Sequence, residues 1–358
     1  MKDPIAIQYQ KLTFNDRCYS GRQELLMLSD QLMAQADDES VHIAQFLKDW
    51  VSDEASIRLH TSGSTGEPKL IEVGKAAMVA SAKRTLDFFD LPPGATALLC
   101  MSARYIAGKM MLVRALVGGL NLLSVPVSSH PLKGINRRLD FAAMVPMQVA
   151  TLVEKDPGAL FKLGCLIIGG GAVSNKVRKA LQHNDINVWE TYGMTETVSH
   201  IALRPLKDPS VPFRLLPGIA IEADERGCLV IQPSALNEDR LLTNDLVELV
   251  SENEFHLLGR YDNIINTGGI KVVPELIESR LKPLIPYPFI VSWKEDALLG
   301  QRLVLVIEAD ASFPCPSFEQ VNLKRHELPR EVVYLSELPR TVTGKVQRVK
   351  LQQVIARP

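Results

Sequence analysis

The sequence predicts an α/β protein, built of mixed α and β layers, with a second and smaller α+β domain at the C-terminal end. The chain has 358 residues, 46% of them apolar and 23% charged, which suits two domains better than one. Strand-like and helix-like apolar patterns alternate up to about residue 210. Beyond it, strand-like runs follow one another closely, with few helices between them.

The first predicted elements are helical, because residues 21–49 carry apolar side chains at helical spacing. A short strand over 57–60 then runs into a glycine turn at 63–66. A helix over 75–89 follows and is stopped by Pro92 and Pro93. Apolar runs predict four further strands, over 97–101, 121–125, 165–168 and 188–190. One helix is expected between the first two of them, and another over 175–184 after the third.

The later part of the chain predicts three closely spaced strands over 228–231, 246–250 and 254–258. Pro274 opens a helix that reaches about Leu281. Two strands over 289–293 and 302–308 are expected to pair. The polar junction at 260–262 separates two apolar runs, so the predicted domains are 1–261 and 262–358.

Charge and cysteine content exclude several classes of protein. The net charge of -1 gives no basic field for nucleic acid or a membrane surface. The five cysteines are scattered and form no Cys-x-x-Cys pair, which argues against a disulfide framework or zinc site. The N-terminus lacks the apolar core of a signal peptide, and Arg114 interrupts the longest apolar stretch. We therefore expect a cytoplasmic protein; nothing in the sequence indicates an oligomeric state.

A loop rich in glycine and hydroxyl groups follows the strand at 57–60. Glycines let backbone N–H groups approach a phosphate, while the hydroxyls and Lys69 add donors and charge. The spacing before the lysine is not that of a Walker A loop, and a plain Gly/Ser turn remains the alternative. The candidate phosphate-binding residues are Thr61, Ser62, Gly63, Ser64, Thr65, Gly66 and Lys69.

A second polar segment runs from Tyr192 to Thr197, after the strand at 188–190. A tyrosine ring stacks on a base, a threonine hydroxyl reaches a phosphate, and a carboxylate such as Glu196 holds Mg²⁺. Taken alone, these residues are better explained as a simple polar turn after the strand.

Two weaker signals follow toward the C-terminus. Asp245 and Arg260 are a carboxylate and a guanidinium able to hold a ribose diol between them, although exposed ion-pair residues are common. The loop at 338–345 is shaped by proline and glycine and presents Lys345, which is otherwise read as a solvated lysine.

Together and in this order, the four segments resemble the adenylate-forming superfamily of acyl- and aryl-CoA synthetases, adenylation domains and luciferases. Gly268, Gly269 and the Pro274-x-x-Ile-Glu278 run match as well, so the resemblance covers roughly residues 57–350. It implies a large N-terminal domain and a small mobile C-terminal domain. It also implies an AMP-forming carboxylate–CoA ligase that uses ATP, Mg²⁺ and CoA.

The resemblance implies a role for each matching residue. The loop at 62–69 would bind the β- and γ-phosphates. The ATP-binding set continues with Gly169, Gly170, Gly171, Ala172, Tyr192, Gly193, Asp245 and Arg260. Thr195 would touch the α-phosphate, Glu196 would hold Mg²⁺, and Lys345 would act during adenylation. Asp262 would be the hinge, and Gly268 and Gly269 would line the path of CoA.

The sequence also departs from the superfamily pattern. Only 60 residues precede the phosphate loop, so we expect a reduced first subdomain. Leu70 stands where a glycine is frequent, and Tyr105 stands where relatives often carry a histidine.

The acid is suggested by cations near the expected acyl pocket. Arg104, Lys109 and Arg114 suit a substrate with a second carboxylate, although Lys109 and Arg114 also fit a solvated helix face. The compact chain and the run from Met194 to His200 resemble bacterial o-succinylbenzoate–CoA ligases of menaquinone biosynthesis. The candidate acyl-site residues are Tyr105, Lys109, Arg114 and His200. Alternatives are another aryl- or acyl-CoA synthetase, or a degenerate nucleotide-binding protein without ligase activity.

Overall fold

A computed structural model describes residues 8–35, 37–60, 70–182, 186–232, 239–310, 314, 317–340 and 346–356. The chain folds as two units. The first contains Met1–Ala220 and Ile231–Leu241, and the second contains Ile221–Val230 and Leu242–Pro358. The domain boundary predicted at 261/262 falls inside the second unit, between its two sheets, and stays a prediction.

The first unit is built on a sheet that is parallel in its centre. Its strands lie in the order β11-β10-β9-β8-β7-β5-β6-β1-β2. The neighbours from β9 to β1 are parallel, and antiparallel strands close both ends. The strands are β1 Lys11–Phe14, β2 Arg17–Ser20, β5 Thr96–Leu99, β6 Asn121–Ser124, β7 Leu139–Met144, β8 Leu163–Ile168, β9 Asn187–Gly193, β10 His200–Pro205 and β11 Phe213–Leu215; β3 Ser56–His60 and β4 Leu70–Gly74 form a separate antiparallel pair.

Helices cover this sheet. They are α1 Gly21–Met33, α2 Asp38–Val51, α3 Lys75–Phe88, α4 Ile106–Gly118, α5 Pro146–Lys155 and α6 Asn175–Gln182. Leu98, Ala142, Leu166 and Val188 come from four neighbouring strands and pack in one buried cluster, which α5 and α6 help to enclose. Parallel strands that are buried on both faces have continuous apolar sequences, and β8 could therefore be predicted from its apolar run.

The helical character predicted for residues 21–49 is confirmed, and the region consists of two helices, because α1 ends at Met33 and α2 begins at Asp38. The carboxylate of Asp37 accepts a hydrogen bond from the Ser40 N–H at 3.0 Å and so caps α2. A cap of this kind satisfies a backbone donor that a new helix would otherwise leave open. The two helices pack against each other and do not continue as one rod.

The second unit contains two sheets. The first has the order β12-β13-β14-β15, and the second has the order β17-β16-β19-β18 with β20 beside β19. The elements are β12 Ile221–Ala223, β13 Cys228–Ile231, β14 Leu241–Ser251, β15 Glu254–Arg260, β16 Ile265–Thr267, β17 Ile270–Val272, α7 Pro274–Leu281, β18 Phe289–Asp296, β19 Gly300–Glu308, β20 Glu331–Leu335 and α8 Arg348–Ile355.

The strand β19 separates two small cores, because successive side chains point to opposite faces of a sheet. Leu303, Leu305 and Ile307 pack with residues of α7. Val304 and Val306 face the other way and pack with Leu338, Leu351 and Ile355, which lie just before and within the C-terminal helix. The antiparallel pairing of β18 with β19 confirms the pair predicted from the sequence.

Within the described part of the chain, we find no helix with the length and apolar character needed to cross a bilayer.

Candidate active site

The glycine loop at the end of β8 lies at the carboxyl edge of the parallel sheet, where open α/β sheets bind their ligands. The Gly169 N–H donates to the carbonyl of Met144 at 3.2 Å. A Cβ on Gly169 would lie 2.6 Å from Oγ1 of Thr191 on β9. Gly170 has a φ of +81°, a conformation that favours glycine. The exposed backbone of this loop therefore depends on the absence of side chains.

Tyr192 lies near the end of β9, beside this loop. Its ring is buried and packs at 6.1 Å from the ring of Phe213, between centroids. The guanidinium of Arg204 covers the Phe213 ring at 4.4 Å. Gly193 follows, and a Cβ there would clash with the carbonyl oxygen of Ser199. The sequence predicts Tyr192 and Gly193; Phe213 and Arg204 complete the packing and carry no motif that would have singled them out.

A buried ion-pair network supports the same strand. Glu190 on β9 uses both carboxylate oxygens, one with Arg178 of α6 at 2.9 Å and the other with Arg204 of β10 at 2.6 Å. Arg178 also donates to the carbonyl of Leu206 at 2.6 Å. The network ties the helix that follows the glycine loop to the strand that carries Tyr192. It was missed by the sequence analysis because its members are far apart in the chain.

The turn after β9 presents Glu196. Thr195–Thr197 forms one turn of 3₁₀ helix, and the Oγ1 of buried Thr197 accepts the Met194 N–H at 3.0 Å and lies 2.9 Å from the Ser199 carbonyl. Val198 has a φ of +67°, a strained conformation for a β-branched residue that costs about 1–3 kcal/mol. The carboxylate of Glu196 is exposed and has no partner among the described residues.

Among the residues that the structure describes, no group of three or more metal-ligating side chains occurs. A magnesium ion that arrives with nucleotide phosphates needs only one or two protein carboxylates. The exposed Glu196 fits that requirement, and the hydrogen bonds of the Thr197 hydroxyl hold its turn in place.

Arg114 is the most unusual group in the first unit. It lies on α4, is 2% exposed, and donates to the Ser199 hydroxyl at 2.9 Å, while its Nη1 lies 3.5 Å from the sulfur of Met111. Its Nε is buried without a hydrogen-bond partner, and no carboxylate pairs with it among the described residues. Burial lowers the pKa of Arg114 to about 10, which leaves it charged at neutral pH. A buried cation of this kind lacks a counter-ion.

His200 belongs to the same cluster. Its Nδ1 lies 3.4 Å from the Ser199 hydroxyl and its Nε2 lies 3.2 Å from the Thr85 hydroxyl, which is 3.2 Å from the Ser81 carbonyl. Because Arg114 must donate to Ser199, the Ser199 proton points to Nδ1, and Nε2–H donates to Thr85. Burial and then the charge of Arg114 hold the pKa of His200 well below its usual value, so the ring is neutral.

Lys109 lies on the same helix but has its own partners. Its ammonium donates to the Ala103 carbonyl at 2.8 Å and lies 5.7 Å from the centre of the Phe46 ring. Burial lowers the pKa of Lys109. Tyr105 is the N-cap residue of α4 and is half-buried, with the guanidinium of Arg104 over its ring at 5.8 Å. Lys109 is thus not a solvated helix-face residue, and of these two cations Arg114 is the one with no carbonyl or carboxylate partner among the described residues.

The second unit brings together Asp245, Arg260 and Asp262. Asp245 and Arg260 are register partners on β14 and β15. The guanidinium of Arg260 bridges the carboxylates of Asp245 at 3.1 Å and Asp262 at 2.9 Å. The amide of Asn244 donates to the other oxygen of Asp262 at 3.0 Å. The predicted ribose-binding pair and the predicted hinge residue are therefore linked through one side chain.

Gly268 and Gly269 form the two-residue turn between β16 and β17, where Thr267 pairs with Ile270. Their φ angles are +61° and +82°, and a two-residue hairpin with two positive φ angles requires glycine-like freedom. The Gly268 N–H donates to the Leu299 carbonyl at 2.8 Å, which holds the turn against the hairpin of β18 and β19.

Some predicted site residues lie outside the described residues. They are Thr61, Ser62, Gly63, Ser64, Thr65, Gly66, Lys69 and Lys345. Their roles stay predictions.

Comparison with known proteins identifies the family of this chain. The family model of AMP-binding enzymes matches residues 20–227, more than half of the chain. The chain belongs to the AMP-binding enzyme family.

Individual relatives narrow the comparison. A probable 2-succinylbenzoate–CoA ligase of Mycobacterium tuberculosis is 29% identical over 328 residues, covering 84% of this chain and 85% of the relative. The crystal structure of an AMP-forming acyl-CoA synthetase/AMP-acid ligase II-like protein from Dyadobacter fermentans is 35% identical, with a TM-score of 0.62 and coverage of 92% of this chain and 98% of that one. The o-succinylbenzoate coenzyme A synthetase of Bacillus subtilis, solved with ATP and magnesium, shares the fold at 17% identity, with a TM-score of 0.75 and coverage of 97% and 98%.

Proposed function

We propose that this protein is an AMP-forming carboxylate–CoA ligase whose acid is o-succinylbenzoate, which would place it in menaquinone biosynthesis. Family membership and the names of the relatives support the reaction. The assignment of the substrate rests on a single observation: Arg114 is a buried guanidinium without a carboxylate partner among the described residues. One carboxylate of a dicarboxylic acid is activated and reacts. The second carboxylate of the same acid would pair with the Arg114 guanidinium.

In the first half-reaction, a carboxylate oxygen attacks the α-phosphorus of ATP, an acyl-adenylate forms and pyrophosphate leaves. Both reactants are anionic, so cations must offset their repulsion and stabilise the charge of the transition state. Lys345 supplies one such charge, and Thr195 donates to the α-phosphate. Glu196 would hold Mg²⁺, and that ion would neutralise phosphate charge.

The proposed nucleotide contacts are those that the resemblance to the adenylate-forming superfamily implies. The loop at 62–69 takes the β- and γ-phosphates. The backbone from Gly169 to Ala172 and the ring of Tyr192 frame the adenine, at the carboxyl ends of β8 and β9. Asp245 and Arg260 take the ribose hydroxyls, and to do so Arg260 exchanges part of its pairing with Asp245 and Asp262 for the ligand.

In the second half-reaction, the thiolate of CoA attacks the acyl carbonyl and AMP leaves. The lysine that serves adenylation must then make way for the thiol, which requires a hinge motion at Asp262. Gly268 and Gly269 line the path of the pantetheine arm, because their turn presents backbone without side chains.

Arg114 is preferred over Lys109 as the acid-binding cation. The ammonium of Lys109 donates to the Ala103 carbonyl, whereas Arg114 keeps an Nε–H donor without a partner on the edge of its guanidinium, where a carboxylate binds. Ser199 and His200 fix one side of the guanidinium through the chain of hydrogen bonds that ends at Thr85. The neutral His200 adds no charge that would compete for the anion.

A cytoplasmic location stays a prediction. Another aryl- or acyl-CoA synthetase is the alternative within the same chemistry, and a degenerate nucleotide-binding protein is the alternative outside it.

The experiment is acid-dependent exchange of pyrophosphate into ATP, run over a panel of carboxylic acids. We expect exchange with o-succinylbenzoate at the highest kcat/KM, weaker exchange with benzoate-type monocarboxylates, and little with fatty acids. Preference for another acid in the panel assigns a different synthetase. Nucleotide binding without exchange for any acid contradicts ligase activity.

A further inference from the structure

We propose that Arg340 and Arg348 are positioning residues that hold the two ends of the segment carrying Lys345, each through its own half-buried carboxylate. The inference rests on the proposed role of Lys345 in adenylation. It concerns residues of the second unit that lie on either side of 341–345, all of them within the described part of the chain.

The two ends of this segment are held next to each other. Arg340 and Val346 form an isolated antiparallel bridge, and the Gln347 N–H donates to the Pro339 carbonyl at 2.8 Å. Leu338 and Leu351 are buried in the same small core against β19. Residues 338–340 and 346–347, on the two sides of the segment, therefore form one fixed base.

The first end is anchored by Glu308, the last residue of β19. One carboxylate oxygen of Glu308 accepts the Leu338 N–H at 2.8 Å and the Arg340 guanidinium at 2.5 Å. Arg340 also donates to the carbonyl of Leu338 at 3.1 Å. These contacts join the end of a central strand to the residues that enter the lysine segment.

The second end is anchored by Glu278 of α7. Arg348, the first residue of α8, donates to Glu278 at 2.7 Å and to the Val291 carbonyl at 2.9 Å. The same oxygen of Glu278 accepts the Val291 N–H at 2.8 Å, so Arg348 and Val291 are held on one carboxylate. Both side chains of the ion pair are largely buried, which makes the pair less screened by solvent than a surface pair.

The second anchor also reaches the predicted hinge. Glu275, one turn before Glu278, lies 3.7 Å from the Arg348 guanidinium and accepts a hydrogen bond from Asn263 at 2.5 Å. Asn263 directly follows Asp262. The base of the lysine segment and the hinge are therefore joined through two glutamates on one helix.

These anchors matter because a charged group assists a transition state only when it is held in place. A misplacement of about 1 Å costs on the order of 10²-fold in rate. Lys345 directly precedes Val346, so the position of the anchored base limits where its side chain reaches. The anchors act through the lysine and have no role when the thiol displaces AMP.

The experiment compares Arg340→Ala and Arg348→Ala with a matched control, Arg302→Ala, which removes an ion pair with Glu331 at 2.8 Å in the same unit. Two rates are measured on each protein: acid-dependent pyrophosphate exchange, and CoA thioester formation from chemically prepared acyl-adenylate. We expect both anchor variants to lose about 10- to 100-fold in exchange while keeping most of the thioester rate. Arg348→Lys, which keeps the charge, is expected to recover part of the exchange. Arg302→Ala is expected to change neither rate.

Equal losses in the two rates, or an unchanged exchange rate, overturn the inference. Should Arg348→Ala fail to fold, Glu278→Gln decides by the same two rates, since its amide oxygen still accepts the Val291 N–H while the charge is lost. Lys345→Ala separates this inference from the proposed function. If that variant loses exchange selectively and the anchor variants do not, only the anchors are contradicted; if it loses both rates equally, the proposed role of the lysine fails.

Discussion

The cations of α4 show what the sequence can and cannot resolve at the scale of residues. Lys109 and Arg114 are both buried, and their spacing alone gives no reason to choose between them. The structure separates them by their partners: the Lys109 ammonium has a backbone carbonyl, and the Arg114 Nε has none among the described residues. Such partners come from distant parts of the chain, including Ser199, 85 residues away.

Arg114→Ala is expected to raise the KM of o-succinylbenzoate and to leave the KM of ATP nearly unchanged. Loss of a desolvated charge partner costs about 2–5 kcal/mol, which corresponds to an increase of roughly 30-fold or more. The difference in KM between o-succinylbenzoate and an analogue that lacks the ring carboxylate should largely disappear in this variant. Steady-state kinetics with both acids checks the prediction.

Lys109→Ala is the matched control, since it removes a buried cation from the same helix. It should lower thermal stability without a comparable change in the KM of the acid. A normal KM for the acid in Arg114→Ala, or equal effects of the two substitutions, would contradict the assignment.

His200 gives a prediction about pH. Its pKa is lowered in the folded protein by burial and by Arg114, so between that pKa and about 6.5 the unfolded chain binds more protons than the folded one. Stability must therefore fall as pH drops below about 6.5, by up to about 1.4 kcal/mol per pH unit for one proton. Urea unfolding from pH 7.5 to pH 5 should show a steeper decline for the native protein than for His200→Gln. Parallel curves would mean that His200 is protonated in the fold.

At the scale of elements, apolar runs made β8 and the β18–β19 pair predictable, because the burial of a strand requires apolar side chains within the strand itself. The break between α1 and α2 was not predictable from apolar spacing alone, since a polar side chain, Asp37, sets the new helix start. The Glu190 network and the anchors at Glu278 and Glu308 are likewise absent from any local pattern. Their partners lie 12 to 70 residues away in the chain.

The glycine loop after β8 can be tested directly. Gly169→Ala places a methyl group 2.6 Å from Oγ1 of Thr191, so either the loop shifts away from β9 or the Thr191 hydroxyl leaves its contact with the Ile168 carbonyl at the start of the loop. We expect a higher KM for ATP with little change in the KM of the acid. Gly158→Ala is the matched control, since its nearest neighbour to a new Cβ is 3.8 Å away.

A compensating change sharpens this test. Thr191→Ala removes the hydroxyl that the new methyl group meets, and the Thr191 Cβ itself is 3.9 Å away. The double variant Gly169→Ala/Thr191→Ala should therefore recover much of the affinity for ATP. Failure to recover would mean that the loop is disturbed for a reason other than this contact.

At the scale of the whole molecule, the order of four short segments along the chain predicted the superfamily, and the match over residues 20–227 confirms it. The segments were informative together because the resemblance assigns each of them one part of the same chemistry: phosphate binding, adenine and metal, ribose, and the adenylation lysine. The roles of individual residues, and the division of the chain at 261/262, stay predictions that the half-reactions will test.

The most direct test of the central claim is a competition assay with the intact protein. ATP, Mg²⁺ and CoA are supplied with an equal mixture of o-succinylbenzoate, benzoate-type monocarboxylates and a fatty acid, and the thioesters and nucleotides are identified by mass. In such a mixture the ratio of products reports the ratio of kcat/KM values. We predict that o-succinylbenzoyl-CoA dominates and that one AMP is released for each thioester. Release of ADP, or dominance of any other thioester, would contradict the account.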